Sequence, residues 1–528
     1  LTVEVNLKQE ENVIAGASLG AADFDNVDKK VIFANASFDN LANGKYILEI
    51  SVSCLNDKNS SFIKEEVEIE VRQEGSEIIE KAKEGFISLG AGINGEDVPA
   101  VLENLERWLT REEYKEACSS IAQMVKEDRF DELFDSFFKT LAFGTGGRRG
   151  LVGIGPNRFN HWTVRESVKG HIDWLFSEYG EDSVRKHGVV GVADVRKYPG
   201  YQDKQSWGIF PQDSVINNTS SVEFMKIAAE VYAAYGIPVF LVNAPRTTPQ
   251  LSILVQNLGD VLNRRDAETG EAINPIAGFV ITSSHNQPWY NGIKFYIHTG
   301  SQLVPPFDYN LILASQKAAE AGNIKRFVLA EAITEGLVNI LDGDILGKVD
   351  FACRKIAAEA YGYLGAEDRI LTIAFDSMNG TGNTWALPIL LEAGYCLRIN
   401  QKFLLQDGDF PSAPLQIPNP ELAQSFNNVI SIARSEDDQA FEIKLAGYLR
   451  VEDKVVEYID NFSGTGLKVA VLEASKNVAD VAMTMDPDAD RIGVAFADSD
   501  GTWHGFNEND ESNLMLIWAK CSLLNKFK

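Results

Sequence analysis

Three stretches of this chain gather side chains that can carry a covalent group, hold an anion or ligate a metal. The first is Ile281-Thr282-Ser283-Ser284-His285-Asn286-Gln287-Pro288-Trp289-Tyr290-Asn291-Gly292-Ile293-Lys294. A serine in such a loop can form a covalent intermediate, and Lys294 can supply positive charge or move a proton. On composition alone, a Ser/Asn/Gly-rich loop between strands is more often a plain turn. The second is Phe143-Gly144-Thr145-Gly146-Gly147-Arg148-Arg149-Gly150. Glycines bare backbone N–H groups to an anion, and Arg148 and Arg149 add charge-assisted donors. A lone glycine cluster reads equally as a turn. The third is Asp486-Pro487-Asp488-Ala489-Asp490-Arg491. Alternate aspartates on an extended loop would point three carboxylates to one side, a hard-oxygen site for a divalent ion such as Mg²⁺. An EF-hand loop is excluded, because its sixth position is Arg491 rather than glycine and its twelfth is Ala497 rather than glutamate. Arg491 is a further candidate for holding phosphate or sugar, with a structural ion pair as the alternative.

The elements around these stretches argue an α/β fold. Ile276 to Val280 and Ile293 to Ile297 read as strands flanking the serine loop. Val189 to Asp194 is a buried-strand pattern ending in the polar tip Asp194-Val195-Arg196. An amphipathic helix, Ser221 to Tyr235, and a strand, Gly236 to Val242, follow it. The rhythm restarts with a helix from Phe351, a strand Ile370 to Asp376, the turn Asn379-Gly380-Thr381-Gly382 and a helix Trp385 to Ala393. The strand Val478 to Met485 then delivers the aspartates. Alternating strands and helices predict mixed, mostly parallel sheets. Four helices are expected over Glu77–Leu89, Val98–Leu109, Arg111–Lys126 and Asp131–Leu141. Residues 1–75 alternate apolar and polar side chains, as in Val67-Glu68-Ile69-Glu70-Val71, and predict a small antiparallel β-domain, β-sandwich-like and of immunoglobulin-like size.

In their order along the chain, the three stretches resemble the motifs of the α-D-phosphohexomutases, the phosphoglucomutase and phosphomannomutase superfamily. The phosphoserine loop of that family reads T-x-S-H-N-P-x-x-x-N-G-x-K. Thr282, Ser284, His285, Asn286, Asn291, Gly292 and Lys294 fall in register, and Gln287 stands where the family has proline. The resemblance spans residues 100–500 and is absent from the N-terminal segment. It implies that Ser284 is carried as a phosphoserine, whose phosphate ligates Mg²⁺ together with Asp486, Asp488 and Asp490. Arg149 falls at the family's arginine beside the phosphoserine, and Arg148 at a variable position. His285 would position the loop, and Lys294 would give acid/base or electrostatic help. Arg148, Arg491 and Asn286 are the further candidates for binding substrate or phosphate, and Ser283 is a bystander. The implied reaction interconverts a sugar 1-phosphate and 6-phosphate through a bisphosphate, with Mg²⁺ as cofactor and glucose 1,6-bisphosphate as activator. Glucose phosphate is the expected hexose.

The expected organisation is tandem phosphohexomutase-type α/β domains behind the β-domain. Residues 1–75 form the accessory domain. Residues 76–350 hold a helical lead-in and mutase domain I, and 351–494 mutase domain II with an insertion at about 425–470. Residues 495–528 begin an incomplete third domain. The family's sugar-reading G-E-x-S-G loop and R-x-S-G-T clamp are not found after Arg491, so the chain is expected to hold the phosphotransfer half. Two alternatives stand beside this. One is a catalytically impaired remnant acting as a binding or scaffold protein. The other is a haloacid-dehalogenase-type phosphatase, suggested by Asp498-Ser499-Asp500-Gly501-Thr502, for which a hairpin turn is the competing reading.

Composition bounds the partners. The chain has 528 residues, 45% hydrophobic and 24% charged, enough for several domains. With 49 basic and 76 acidic residues the net charge is −27, a field that repels nucleic acid and anionic lipid. A phosphorylated ligand therefore needs local arginine or lysine. Five scattered cysteines without metal-ligand spacing, no transmembrane-length apolar run and no secretory signal point to a cytoplasmic protein. A phosphorylated hexose is the expected partner, with a carbohydrate or a protein for the N-terminal β-domain.

Overall fold

A computed structural model describes residues 2–9, 12–19, 44–53, 63–71, 74–144, 147–198, 208, 210–217, 219–305, 308–361, 371–473, 477–498 and 500–505. The chain forms two compact units, residues 1–110 with 125–130, and residues 111–124 with 131–528.

In the first unit, alternation of side chains along the chain gives strands β1 (Thr2–Gln9), β2 (Asn12–Leu19), β3 (Gly44–Ser53) and β4 (Ile63–Val71). They form one antiparallel sheet in the order β2-β1-β3-β4. Among the described residues this is a single sheet rather than a sandwich, and the strand expected at Lys30–Phe33 lies outside them. Two helices follow, Glu74–Ser88 and Val98–Thr110, close to the expected limits. Their apolar residues recur at helical spacing and bury Phe86, Val101, Leu105 and Trp108.

The second unit holds two α/β sheets. The first contains β5 (Phe143–Gly144), β6 (Gly147–Leu151), β7 (Val189–Ala193), β8 (Val239–Val242), β9 (Ala277–Ile281), β10 (Tyr290–Ile297) and β11 (Val338–Leu341). Their order is β11-β8-β7-β9-β10-β6-β5. The first four are mutually parallel, and the helices Ser221–Ala234 and Thr248–Val261 make the crossovers between β7, β8 and β9. The last three strands pair antiparallel.

The second sheet contains β12 (Thr372–Asp376), β13 (Cys396–Ile399), β14 (Phe441–Leu445), β15 (Val455–Ile459), β16 (Val469–Leu472), β17 (Val481–Met485), β18 (Ile492–Ala497) and β19 (Trp503–Gly505). Its order is β15-β16-β14-β13-β12-β17-β18-β19, and only β13-β12-β17 are parallel. The sheets are mixed as expected, but not mostly parallel. The 425–470 segment is the main reason, since it adds the helix Phe426–Ala433 and the antiparallel edge β15-β16-β14.

The haloacid-dehalogenase reading is overturned here. Asp498 opens the turn between antiparallel β18 and β19, is exposed, and pairs with His504 at 2.8 Å. No helix among the described residues is long and apolar enough to cross a membrane.

Candidate active site

β9 ends at Ile281, and the next residues turn back into β10 through a loop whose buried hydroxyls are all engaged. Ser284 is 1% exposed and has a φ of +53°, the left-handed region in which a non-glycine residue must be held by its neighbours. Its N–H donates to Thr282 Oγ1 at 2.9 Å, and Thr282 Oγ1 donates to Asp194 Oδ2 at 2.8 Å. Arg196 donates from one guanidinium nitrogen to the carbonyls of both Ser284 and Asn286, each at 2.6 Å. Its other terminal nitrogen pairs with Asp194. Asp194 and Arg196 thus clamp the loop from the C-terminal end of β7, although neither was assigned a role from the sequence. The signal was there, because polar residues just past a buried parallel strand sit where α/β folds place their sites.

Gln287, the departure from the family pattern, does not leave the loop open. Tyr290 N donates to Gln287 O at 3.1 Å, and Pro288 takes the second position of that turn, for which its ring is preset. Gly292 is required by close approach. A Cβ there would stand 2.7 Å from Thr282 O and 2.9 Å from Arg148 O.

The aspartates arrive from β17. Asp486 and Asp488 are fully buried, and the three carboxylates of Asp486, Asp488 and Asp490 each offer an oxygen within 4.8 Å of the others. The loop is not extended, as the sequence suggested. Ala489 has a φ of +53° and donates its N–H to Asp486 O at 3.0 Å, so the carboxylates converge through a turn. Ser284 Oγ donates to Asp486 Oδ2 at 2.9 Å, across 202 residues of chain. His285 Nδ1 stands 3.3 Å from the same Oγ. Lys294 Nζ, buried, donates to Asp488 Oδ2 at 2.9 Å and to Asp490 Oδ2 at 2.8 Å. Thr248 Oγ1 also donates to Asp488 Oδ2, at 3.0 Å.

The electrostatics follow from burial and crowding. Burial pushes the Asp486 carboxyl well above the usual carboxylate range, and Asp488 and Asp490 push the same way. Burial also works against ionising Asp488, but Lys294 overrides it and holds that carboxyl low. Burial opposes the charge of Lys294, and Asp488 and Asp490 outweigh it, keeping the ammonium protonated. His285 is drawn down to about 4, first by burial and then by Arg491 and Arg149. Asp488 Oδ1 is buried and has no hydrogen-bond partner among the described residues. Three converging carboxylates, an orphaned carboxylate oxygen and an adjacent hydroxyl fit a hard divalent cation.

Arg149 lies on β6 opposite Gly292, half-buried, with no hydrogen bond or ion pair to another described residue. Arg148 is a correction. Its side chain is buried in the opposite direction and donates to Glu166 Oε2 (2.9 Å), Ser167 Oγ (3.3 Å), Thr163 O (3.0 Å) and Leu141 O (2.8 Å). Adjacent residues of a strand face opposite sides, so only one of the pair reaches the site. Arg491 pairs with Glu421, while its N–H donates to Asp486 Oδ1 at 3.1 Å. Asn286 turns its amide onto Ser283 Oγ at 3.1 Å. Thr145 and Gly146, at the tip of the glycine-rich hairpin, lie outside the described residues.

A family model described as phosphoglucomutase/phosphomannomutase, α/β/α domain I, matches residues 217–321, which contain the whole serine loop. Over those residues the chain is similar to the phosphoglucomutase and phosphomannomutase family. Phosphoglucomutases of Staphylococcus aureus are 28% identical to it in strain USA300 and 29% in strain N315, over 412 residues. Those matches cover 78% of this chain and 57% of either relative, so the chain spans little more than half the length of the curated relatives it matches. A solved putative phosphomannomutase from Thermus thermophilus aligns with a TM-score of 0.41 at 18% identity, covering 68% of this chain and 57% of that one.

Proposed function

We propose that this chain carries the phosphoryl-transfer machinery of a Mg²⁺-dependent hexose-phosphate mutase, with Ser284 as the phosphorylated residue. The observation that carries the proposal is Ser284 Oγ, 2.9 Å from a carboxylate of the aspartate triad, with Arg149 on the neighbouring strand making no hydrogen bond or ion pair to another described residue. Asp486, Asp488 and Asp490, with an oxygen of the serine phosphate, would hold Mg²⁺. The ion supplies charge neutralisation to the transferring phosphoryl group.

Transfer breaks the bond between phosphorus and Ser284 Oγ and forms one to a hydroxyl oxygen of the sugar phosphate. The hydroxyl gives up its proton, and His285, within 3.3 Å of Oγ, is placed to exchange it. The resulting bisphosphate reorients and returns its other phosphoryl group to Ser284. Arg149 faces the moving phosphate oxygens, and Lys294 acts through its fixed charge rather than as a base. Arg196 and Asp194 keep Oγ in line throughout. Glucose 1-phosphate and glucose 6-phosphate are the proposed substrate pair, with glucose 1,6-bisphosphate as the activator that loads the serine. The organisation behind it is the accessory β-segment 1–75, mutase regions 76–350 and 351–494, and the start of a third from 495.

The test is Mg²⁺-dependent conversion of glucose 1-phosphate to glucose 6-phosphate by the purified chain, primed with glucose 1,6-bisphosphate. Turnover abolished by Ser284→Ala and by EDTA is the expected result. Turnover unchanged in Ser284→Ala would sink the proposal, and absence of any turnover in the parent chain favours the binding or scaffold alternative.

A further inference from the structure

Within the second unit, away from the serine and the aspartates, lies a cavity of about 460 Å³. It is framed by the short helix Glu112–Ala117, the first turns of the helix His161–Tyr179, and the segment after the helix Asp308–Ala321. Arg165 and Arg326 line it, with Tyr114 and Trp162 as its aromatic wall. None of Ser284, Arg149, Lys294 or the three aspartates does.

Of the two arginines, Arg165 is partly buried and Arg326 is exposed. The buried arginines Arg148, Arg158, Arg196, Arg246 and Arg398 each meet a carboxylate, those of Glu166, Asp135, Asp194, Asp350 and Glu442. Arg165 and Arg326 make no hydrogen bond or ion pair to another described residue, and Arg165 Nε is a buried donor left unsatisfied. Glu113, Glu116 and Glu230 lie within electrostatic reach of Arg165, and Glu230 of Arg326 as well, without a hydrogen bond to either guanidinium. Glu112 pairs with Lys115 at 3.3 Å, and Glu113 with Arg111 at 3.5 Å and with the N–H of Asn323. Burial, and then Arg326, lowers the pKa of Arg165, while Glu230, Glu116 and Glu113 act the other way. The unsatisfied Nε of Arg165, beside the second guanidinium, leaves donors turned to the cavity for an anion. Arg149 likewise makes no hydrogen bond or ion pair to another described residue.

We infer that this cavity is a second anion site, one that takes a small hydroxylated phosphate monoester such as a sugar monophosphate. Two planar guanidinium forks suit one phosphate group. The volume suits a small molecule, and the aromatic wall suits the apolar face of a sugar ring. The carboxylates of Glu112, Glu113 and Glu116 can accept hydroxyl hydrogens, and they repel a second phosphate or a nucleic acid. In a chain of net charge −27, an anion is held only where cations are left free for it. This site does not depend on the phosphotransfer reading of Ser284.

The test is calorimetric titration of the full chain with glucose 6-phosphate and with inorganic phosphate, for the parent, Arg165→Gln, Arg326→Gln and Arg149→Gln. Binding that survives Arg149→Gln and weakens by about tenfold to a hundredfold in Arg165→Gln and Arg326→Gln is the expected result. The sugar phosphate binds this site more tightly than inorganic phosphate does. If Arg165→Gln does not fold, Arg326→Gln, on an exposed segment, reads the same site. Parent-like binding in Arg326→Gln, or loss of all binding in Arg149→Gln, overturns the site. Equal affinity for the two probes overturns the ligand class.

Discussion

At Ser284 the backbone is held at a φ of +53°, a conformation that costs about 1–3 kcal/mol and persists only where the surroundings impose it. Arg196 imposes it by donating to the carbonyls on either side of His285, and Asp194 fixes Arg196 and Thr282 together. Arg196→Lys keeps the charge but loses the fork that holds Asp194 with one nitrogen and both loop carbonyls with the other. Its kcat is expected to fall by at least about tenfold, with KM changed much less, because misplacing Oγ affects the transfer step. Steady-state kinetics read this, and an unchanged kcat would contradict the positioning role. A second residue carries a pH dependence of stability. Asp376, at the end of β12, accepts from Met378 N at 2.7 Å, while its buried Oδ2 has no hydrogen-bond partner among the described residues. Burial pushes its carboxyl from 3.8 up to about 7. The folded state therefore holds the proton more tightly than the unfolded one. Its contribution is most favourable below the unfolded value and is lost as pH rises from 3.8 toward about 7. Asp376→Asn removes that loss, so the variant gains on the parent by a margin on the order of 4 kcal/mol by pH 8. Urea unfolding across that range measures it, and parallel pH profiles for the two proteins would refute it.

Among the elements, the contact between the helices His161–Tyr179 and Asp308–Ala321 is set by one missing side chain. A Cβ on Gly170 would stand 2.1 Å from Ser315 Oγ and 2.6 Å from Ser315 Cα. Gly170→Ala gains helix propensity of about 1 kcal/mol, but it forces two backbones apart, which costs about 1–3 kcal/mol. Net destabilisation in urea unfolding is expected, and a more stable variant would show that the helices separate freely. The same scale explains what the sequence disclosed. Strands β7 and β9 and the helix Ser221–Ala234 were legible because each is a continuous apolar run or a clear helical stripe. Strand β15 was not, since Val456, Glu457 and Tyr458 lie exposed on an edge and leave no burial pattern to read. The mostly parallel sheets were overestimated for a related reason. Hairpins within the 425–470 segment need no crossover helix, so the strand–helix rhythm does not count them. For the site, residue types singled out the serine loop, both arginines and the aspartates as candidates, and only the family resemblance favoured Arg149 over Arg148. What residue types could not disclose is direction, and the backbone shows Arg148 turned into the core onto Glu166. The turn at Ala489 likewise became visible only with the backbone in place.

Over the whole molecule, a net charge of −27 means that a phosphate group needs arginine or lysine close by to be held. The serine comes from the first α/β sheet and the aspartates from the second. Thr248 N–H and hydroxyl, donating to Asp488 O at 2.9 Å and Oδ2 at 3.0 Å, tie those two parts of the site together. That assembly makes a phosphorylated Ser284 the central claim. Intact-mass measurement with peptide mapping of the loop, after incubation with glucose 1,6-bisphosphate and Mg²⁺, tests it most directly. One phosphoryl group on Ser284, absent from Ser284→Ala, is the predicted result. A loop that stays unmodified, or a phosphate found on Ser283 instead, would contradict it.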